Sequence, residues 1–349
     1  MAPSAFFSGR SVVRWGIIGC GDVTEVKSGP GFRKASGSQL VAVMRRDAAK
    51  AADYAKRHGV PRSYSDAAAL IADPEVDAVY VATPPDSHED YALKIAAAGK
   101  PAYIEKPMAR NATECDRMVD AFARAKRPLF VAYYRRCLPR FLKVKELVRS
   151  GKLGRVTGVL WRFADPKHRS PDSWRVDATL AGGGHFLDLA SHTLDFIDDV
   201  FGPLTAASGA ASNLASPYAV EDTVAMTFRT SDGVPGAVSC NFASAAREDV
   251  LRITGTEGEV AISVFGTDAV RFESAGGMKL FEIPNPPHVA QPLIQTVVDD
   301  LLGRGECPST GVSARRTSQV MDAALASFYG GRADAFWTRP QSWPGRRNS

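Results

Sequence analysis

Val12-Val13-Arg14-Trp15-Gly16-Ile17-Ile18-Gly19-Cys20-Gly21-Asp22-Val23-Thr24 is the stretch on which the fold of this 349-residue chain turns. Residues 12–18 form a short apolar run that stops at Gly19, which reads as a buried strand. The run leads straight into G-x-G-x-x-T, with Thr24 where a third glycine is usual. The first glycine of such a loop permits a tight turn, and the second lets backbone N–H groups approach a pyrophosphate. The helix start beyond them favours an anion. A lone G-x-G also fits a plain turn, but this one directly follows a strand at the head of a strand–helix series, which points to a dinucleotide loop. Gly19, Gly21, Asp22 and Val23 are the candidates for that contact. Thr24 predicts looser helix–sheet packing, not loss of binding.

Outward from this loop, strands and helices alternate. A helix is expected next, irregular in its middle because of Pro30 and the SGPG run. Residues 40–44, 76–82, 102–105 and 129–133 read as strands; 47–58, 66–72, 87–98 and 113–125 read as helices. Strands separated by helices of this length indicate parallel βαβ units. The pattern changes after about residue 135. A helix over 138–149 is followed by strands at 155–163, 219–229, 236–243, 249–254 and 259–264, joined by turns such as Ser231-Asp232-Gly233. Such a run predicts a mostly antiparallel sheet. Helices near 289–302 and 312–329 close the chain.

Composition narrows the class. Hydrophobic residues at 45% and charged residues at 23% are ordinary globular values, and the length fits two domains. Net charge is +5, with 43 basic and 38 acidic residues mixed along the chain, so no nucleic-acid partner is expected. The densest basic spot, Arg135 and Arg136, reads equally as solvated surface or as site. Cys20, Cys115, Cys137, Cys240 and Cys307 are odd in number and lack a CxxC pair, so neither disulfides nor zinc are indicated. No stretch approaches a membrane helix or a signal-peptide core. The expectation is a soluble cytoplasmic protein with frayed ends at about 1–12 and 340–349.

The end of the second strand bears on the cofactor. A site for NAD usually has Asp or Glu there to hold the ribose 2′-hydroxyl. Here the strand ends Met44-Arg45-Arg46, with no carboxylate before Asp47. Two guanidinium groups suit a 2′-phosphate, so NADP(H) is expected ahead of NAD(H). A solvated charge pair at a strand end is the alternative.

Three further segments carry a resemblance. They are Ala82-Thr83-Pro84-Pro85-Asp86-Ser87-His88, Glu105-Lys106-Pro107, and Gly182-Gly183-Gly184-His185-Phe186-Leu187-Asp188-Leu189-Ala190-Ser191-His192-Thr193-Leu194-Asp195. With the glycine loop, their order and spacing resemble the glucose–fructose oxidoreductase/inositol dehydrogenase/rhizopine catabolism (Gfo/Idh/MocA) family over about residues 13–335. The resemblance implies an α/β Rossmann domain with a parallel sheet over 13–135. An α+β domain with an open, mostly antiparallel sheet follows over 136–335, for substrate binding and oligomer contacts. A homodimer or homotetramer is therefore expected. Ser173-Trp174-Arg175 resembles the anhydrofructose reductase and dihydrodiol dehydrogenase branches, which use NADP(H).

The chemistry can be argued beside the resemblance. Moving a hydride between a secondary alcohol and nicotinamide also requires moving the hydroxyl proton, so a placed acid/base is needed. A cation near the oxygen stabilises developing negative charge. Lys106, at the end of the fourth anticipated strand, lies where open parallel sheets bind ligands; without its Glu-Lys-Pro context it would read as surface charge. Asp188 and His192 are four apart and share a helix face. His192 is assigned as proton donor/acceptor and Asp188 as a substrate-hydroxyl ligand. A capped helix with a buried histidine is the bland reading. Gly182–Gly184 are expected to allow close approach of substrate or nicotinamide. Thr83, Pro84, His88 and Glu105 are placed along the cofactor cleft, and Trp174 and Arg175 near the nicotinamide or its phosphates. Tyr133, Tyr134, Arg135 and His185 are positional candidates for substrate contact. Asp195 reads as structural or as a partner for His192, and His58 and His168 read as surface residues. No metal is implied, because HExxH is absent. The expected activity is hydride transfer to or from a sugar or polyol-like compound. Two alternatives stand beside it: a non-enzymatic cofactor-sensing regulator, and a redox-neutral glycosidase retaining NAD.

Overall fold

Val13–Ile18 (β1) is the central strand of the first sheet in the computed structural model, which describes residues 6, 7, 9–166 and 170–346. His168 and the outermost parts of the expected frayed ends lie outside the described residues. Side chains of β1 alternate between two cores. Val13, Trp15 and Ile17 join Phe32, Tyr80 and Tyr103, whereas Ile18 joins Leu70, Val79 and Ile95. Burial on both faces explains why the strand is apolar except at Arg14, whose guanidinium pairs with Asp77.

Ser38–Met44 (β2), Arg62–Tyr64 (β3), Ala78–Val81 (β4), Ala102–Ile104 (β5) and Leu129–Val131 (β6) complete a six-stranded sheet of order β3-β2-β1-β4-β5-β6. Every pair in it is parallel. Strand order reverses beside β1, so a ligand crevice is expected beyond the C-terminal ends of β1 and β4. The glycine- and proline-containing segment after β1 forms two short helices, Asp22–Val26 and Ser28–Lys34, as its composition implied.

The chain forms two compact units. The first comprises the described residues up to Ala109, Glu114–Cys137 and Pro286–Arg315; the second comprises Arg110–Thr113, Leu138–Asn285 and the described residues from Arg316 onward. The first unit therefore extends beyond the 13–135 stretch by taking back a late segment. That segment carries the helix Gln291–Leu301, whose Leu293, Ile294, Val297, Val298 and Leu301 are fully buried in the Trp15 core.

The second unit holds an eight-stranded sheet. Its strands are Val156–Ala164 (β7), Thr205–Ser212 (β8), Thr223–Arg229 (β9), Pro235–Asn241 (β10), Glu248–Gly255 (β11), Gly258–Ile262 (β12), Val270–Ser274 (β13) and Gly277–Phe281 (β14). The order is β14-β13-β12-β11-β7-β10-β9-β8, antiparallel except for the β7–β10 pair. This is the parallel sheet followed by an open, mostly antiparallel one that the sequence predicts. Along β9 Val224, Met226 and Phe228 are buried while Ala225, Thr227 and Arg229 are exposed, so one face of the sheet is covered and the other is open. All five cysteines are free thiols. Among the described residues, no helix is long and apolar enough to cross a membrane.

Candidate active site

In the first unit the glycine loop is tied to the end of β2, where Met44 O accepts N–H bonds from Gly19 (2.9 Å) and Cys20 (3.2 Å). Gly19 has φ +91°, and a Cβ there would lie 2.8 Å from Thr83 Cγ2 and 3.0 Å from the Ala82 carbonyl carbon. The structure thus brings Gly19 and Thr83 together at the crevice. A Cβ on Gly21 would meet only Gly19 O, at 4.0 Å, leaving room for a ligand to approach the backbone. The N–H groups of Asp22 and Val23 head a helix, where no intrahelical acceptor exists for them. Thr24 corrects the expectation of loose packing. It is fully buried, its hydroxyl donates to Gly21 O (2.7 Å), and its carbonyl accepts from Tyr54 (3.0 Å). Close approach is supplied instead at Gly29, where a Cβ would lie 2.1 Å from Thr24 O. Burial pushes the Cys20 thiol up to about 11, so it stays neutral in the loop.

Arg45 and Arg46 are both exposed at the end of β2. Asp47, the nearest carboxylate, caps the helix Ala48–His58 by accepting from Lys50 N at 3.1 Å. That N–H bond holds its carboxyl below the usual range.

Thr83 Oγ1 accepts from Ser87 Oγ at 2.7 Å, and Pro84 is exposed beside it. His88 does not line the cleft as expected. Its residue is fully buried, with Nε2 2.7 Å from Thr83 O and Nδ1 3.2 Å from both Pro107 O and Met108 O. It fastens the Thr83 loop to the Lys106 loop. Glu105 accepts from Tyr80 Oη (2.5 Å) and from Lys106 N (3.0 Å); Lys106 itself is partly exposed, and the Lys106–Pro107 peptide is cis. Arg135 and Arg136 are buried, which removes the solvated-surface reading; Arg136 donates to Pro308 O at 2.7 Å. Tyr133 is also fully buried. His58 is no plain surface residue either, for its Nε2 pairs with Glu25 Oε2 at 2.7 Å.

In the second unit Asp188 and His192 share the helix His185–Phe201. Asp188 Oδ2 accepts from Arg175 Nε at 2.9 Å, and the Arg175 guanidinium lies 4.6 Å from the Trp174 ring centroid. The Trp174-Arg175 turn therefore orients Asp188. His192 is buried, in a T-shaped contact with the Phe265 ring at 6.1 Å. His185 is buried too, 5.7 Å from the Phe242 ring; Asp195 is likewise buried.

The glycine triplet corrects another expectation, because protein occupies the space beside it. A Cβ on Gly182 would lie 2.5 Å from Arg110 O, and one on Gly184 would lie 2.6 Å from Glu221 O. A buried network holds this turn. Glu221 accepts from Gly184 N (3.0 Å) and from Tyr329 Oη. Arg332 donates to Gly182 O (2.7 Å), Arg110 O (2.6 Å) and Asp322 Oδ1 (2.6 Å). Burial raises the Glu221 carboxyl, with the Tyr329 bond and nearby Arg332 opposing the rise. Among the described residues no cluster of three or more His, Cys, Asp or Glu could hold a metal ion.

Residues 13–133 match the "Oxidoreductase family, NAD-binding Rossmann fold", and residues 141–261 match the "GFO/IDH/MocA C-terminal domain". Oxidoreductase P35 of Formosa agariphila is 36% identical over 320 residues, covering 90% of this chain and 98% of its own. The chain belongs to the GFO/IDH/MocA oxidoreductase family. A trans-1,2-dihydrobenzene-1,2-diol dehydrogenase from Bos taurus is similar to this GFO/IDH/MocA chain at 30% identity, covering 79% of the chain and 81% of the relative. A levoglucosan dehydrogenase solved in complex with NADH shares its fold, with a TM-score of 0.81 at 23% identity over 90% of this chain and 96% of that one. Sequence reasoning missed several residues packed around the Gly182–Gly184 turn and His192, namely Glu221, Tyr329, Arg332 and Phe265. Only the Glu221-Asp222 pair inside an apolar stretch left a trace, as carboxylates that must be satisfied internally.

Proposed function

We propose that the protein is an NADP(H)-dependent oxidoreductase that transfers a hydride to or from a sugar or polyol-like carbonyl or alcohol. The observation that carries this reading is Asp188, oriented by Arg175, one turn before a buried His192 on the same helix. His192 takes or returns the hydroxyl proton, Lys106 lends positive charge to the reacting oxygen, and Asp188 holds a substrate hydroxyl. The open space at Gly21 and the N–H groups of Asp22 and Val23 suit a pyrophosphate, with Gly19, Thr83 and Pro84 forming the adjoining wall. When bound, the nicotinamide supplies or accepts the hydride. Arg45 and Arg46 favour the 2′-phosphate, because Asp47 is engaged in capping and faces its own helix. We place the protein in the cytoplasm, as a homodimer or homotetramer formed through the open sheet face.

The test is NADPH oxidation with a panel of aldoses, ketoses and osones. Net oxidation is expected with at least one of them. Binding without turnover would favour a regulator, and bond cleavage without net redox change a glycosidase. His192→Asn is expected to lose about 10²- to 10⁴-fold in kcat; near-wild-type turnover would overturn the assignment. The Arg45→Ala/Arg46→Ala double variant is expected to raise KM for NADPH roughly tenfold or more and leave NADH use little changed.

A further inference from the structure

Arg140 is the second residue of the helix Pro139–Arg149 and is almost wholly buried, with its guanidinium set into a turn. It donates to Gly266 O (2.6 Å), Ser263 Oγ (3.2 Å) and Asp268 O. These groups bracket the turn between β12 and β13. Burying a guanidinium is costly unless its donors are filled, and here they fix both ends of one short segment. The middle of the turn is held as well, since Phe265 N donates to Asp249, whose other oxygen accepts from Trp161 Nε1 at 3.3 Å. What this arrangement fixes is the Phe265 ring. It meets Phe163 at 5.3 Å with an interplanar angle of 66°, and His192 at 6.1 Å with 72°. Both are edge-to-face geometries, which favour a defined ring plane.

We propose that Phe265 is a positioning residue that sets the plane of the His192 imidazole, with Arg140 and Asp249 as the clamp that holds Phe265. The inference rests on His192 handling the proton. An imidazole that passes a proton must point at one oxygen, and a misplacement of about 1 Å costs on the order of 10²-fold. A partial loss of orientation is therefore expected to cost roughly tenfold.

The experiment uses the full chain, with the substrate and cofactor found in the panel above. Phe265→Leu keeps apolar volume against Trp161 and Phe163 but removes the ring. It is expected to lower kcat about tenfold while KM for the cofactor stays within about twofold. Phe265→Tyr keeps the aromatic ring and is expected to restore kcat to within about threefold. The His192 ring-proton resonance reads the geometry without activity, and it should shift in Phe265→Leu and return in Phe265→Tyr. Wild-type kcat in Phe265→Leu overturns the proposal, as does an equal loss in the Leu and Tyr variants. If instead His192→Asn retains turnover, the functional reading has failed and the proposal falls with it. A moved resonance in Phe265→Leu beside an inert His192→Asn and an unchanged Phe265→Leu kcat sinks the proposal alone.

Discussion

His88 has both ring nitrogens against backbone carbonyls, so its chemistry is that of a fastener between two loops. Burial lowers its pKa from 6.5, with the carbonyl contacts and Glu105 opposing the fall. The unfolded chain binds the proton more readily than the folded one, so this stabilisation is complete above about 6.5 and is lost as pH drops below it. Glutamine can still donate to one carbonyl but does not titrate. His88→Gln is therefore expected to cost roughly 1–3 kcal/mol near pH 7.5. The difference in Tm from wild type should narrow as pH is lowered to about 5; a pH-independent difference would refute the role. At this scale residue type and spacing pick out positions more readily than side-chain orientations. Thr83 and Lys106 follow the ends of β4 and β5, whereas a histidine at a helix start carries no sign of whether its ring turns inward.

The turn Gly182–Gly184 and the helix His185–Phe201 work as one element. Gly184 is extended at φ −93°, a conformation open to any residue, so its constraint is space and not strain. A methyl group there would press on Glu221 O at 2.6 Å and on the Glu221 carboxylate at 3.0 Å. Gly184→Ala is expected to destabilise the second unit by about 1–3 kcal/mol and to lower kcat more than it raises KM for substrate. Thermal denaturation and steady-state kinetics on one preparation check both, and an unaltered kcat would show that the turn does not set the helix. Elements with a strong local pattern were legible at this scale: the apolar run of β1, the helix Ala48–His58 with its Asp47 cap, and alternating β9. Four strands were not. β3 is three residues long, β8 consists only of Ala, Ser, Thr and Gly, and β13 and β14 are short with mixed polarity. Their pairing is decided by neighbouring strands, not by local pattern.

For the whole molecule, the open sheet face is the surface through which copies are proposed to meet. Leu160 of β7 stands on that face at 48% exposure, in register with Ala237 of the neighbouring β10. Leu160→Glu is expected to reduce the native mass measured by light scattering toward that of one chain, because a carboxylate on an apolar contact must be desolvated. A mass equal to the wild type's would place the interface elsewhere. The change in pattern near residue 135 was legible because βαβ alternation gives way there to consecutive strands. The return of 286–315 to the first unit was not, since an amphipathic helix reveals that it must cover something without revealing what.

That return has a consequence for biosynthesis. A ribosome that has released β6 has delivered every strand of the parallel sheet, but not Leu293, Ile294, Val297, Val298 and Leu301, which seal the Trp15 side of it. Translation proceeds at about 5–20 residues per second, so the nascent sheet waits roughly ten to thirty seconds for its lid of apolar side chains. Over that interval the emerging polypeptide shows a greasy flank to the cell, and chaperone demand should peak while the intervening segment is being synthesised.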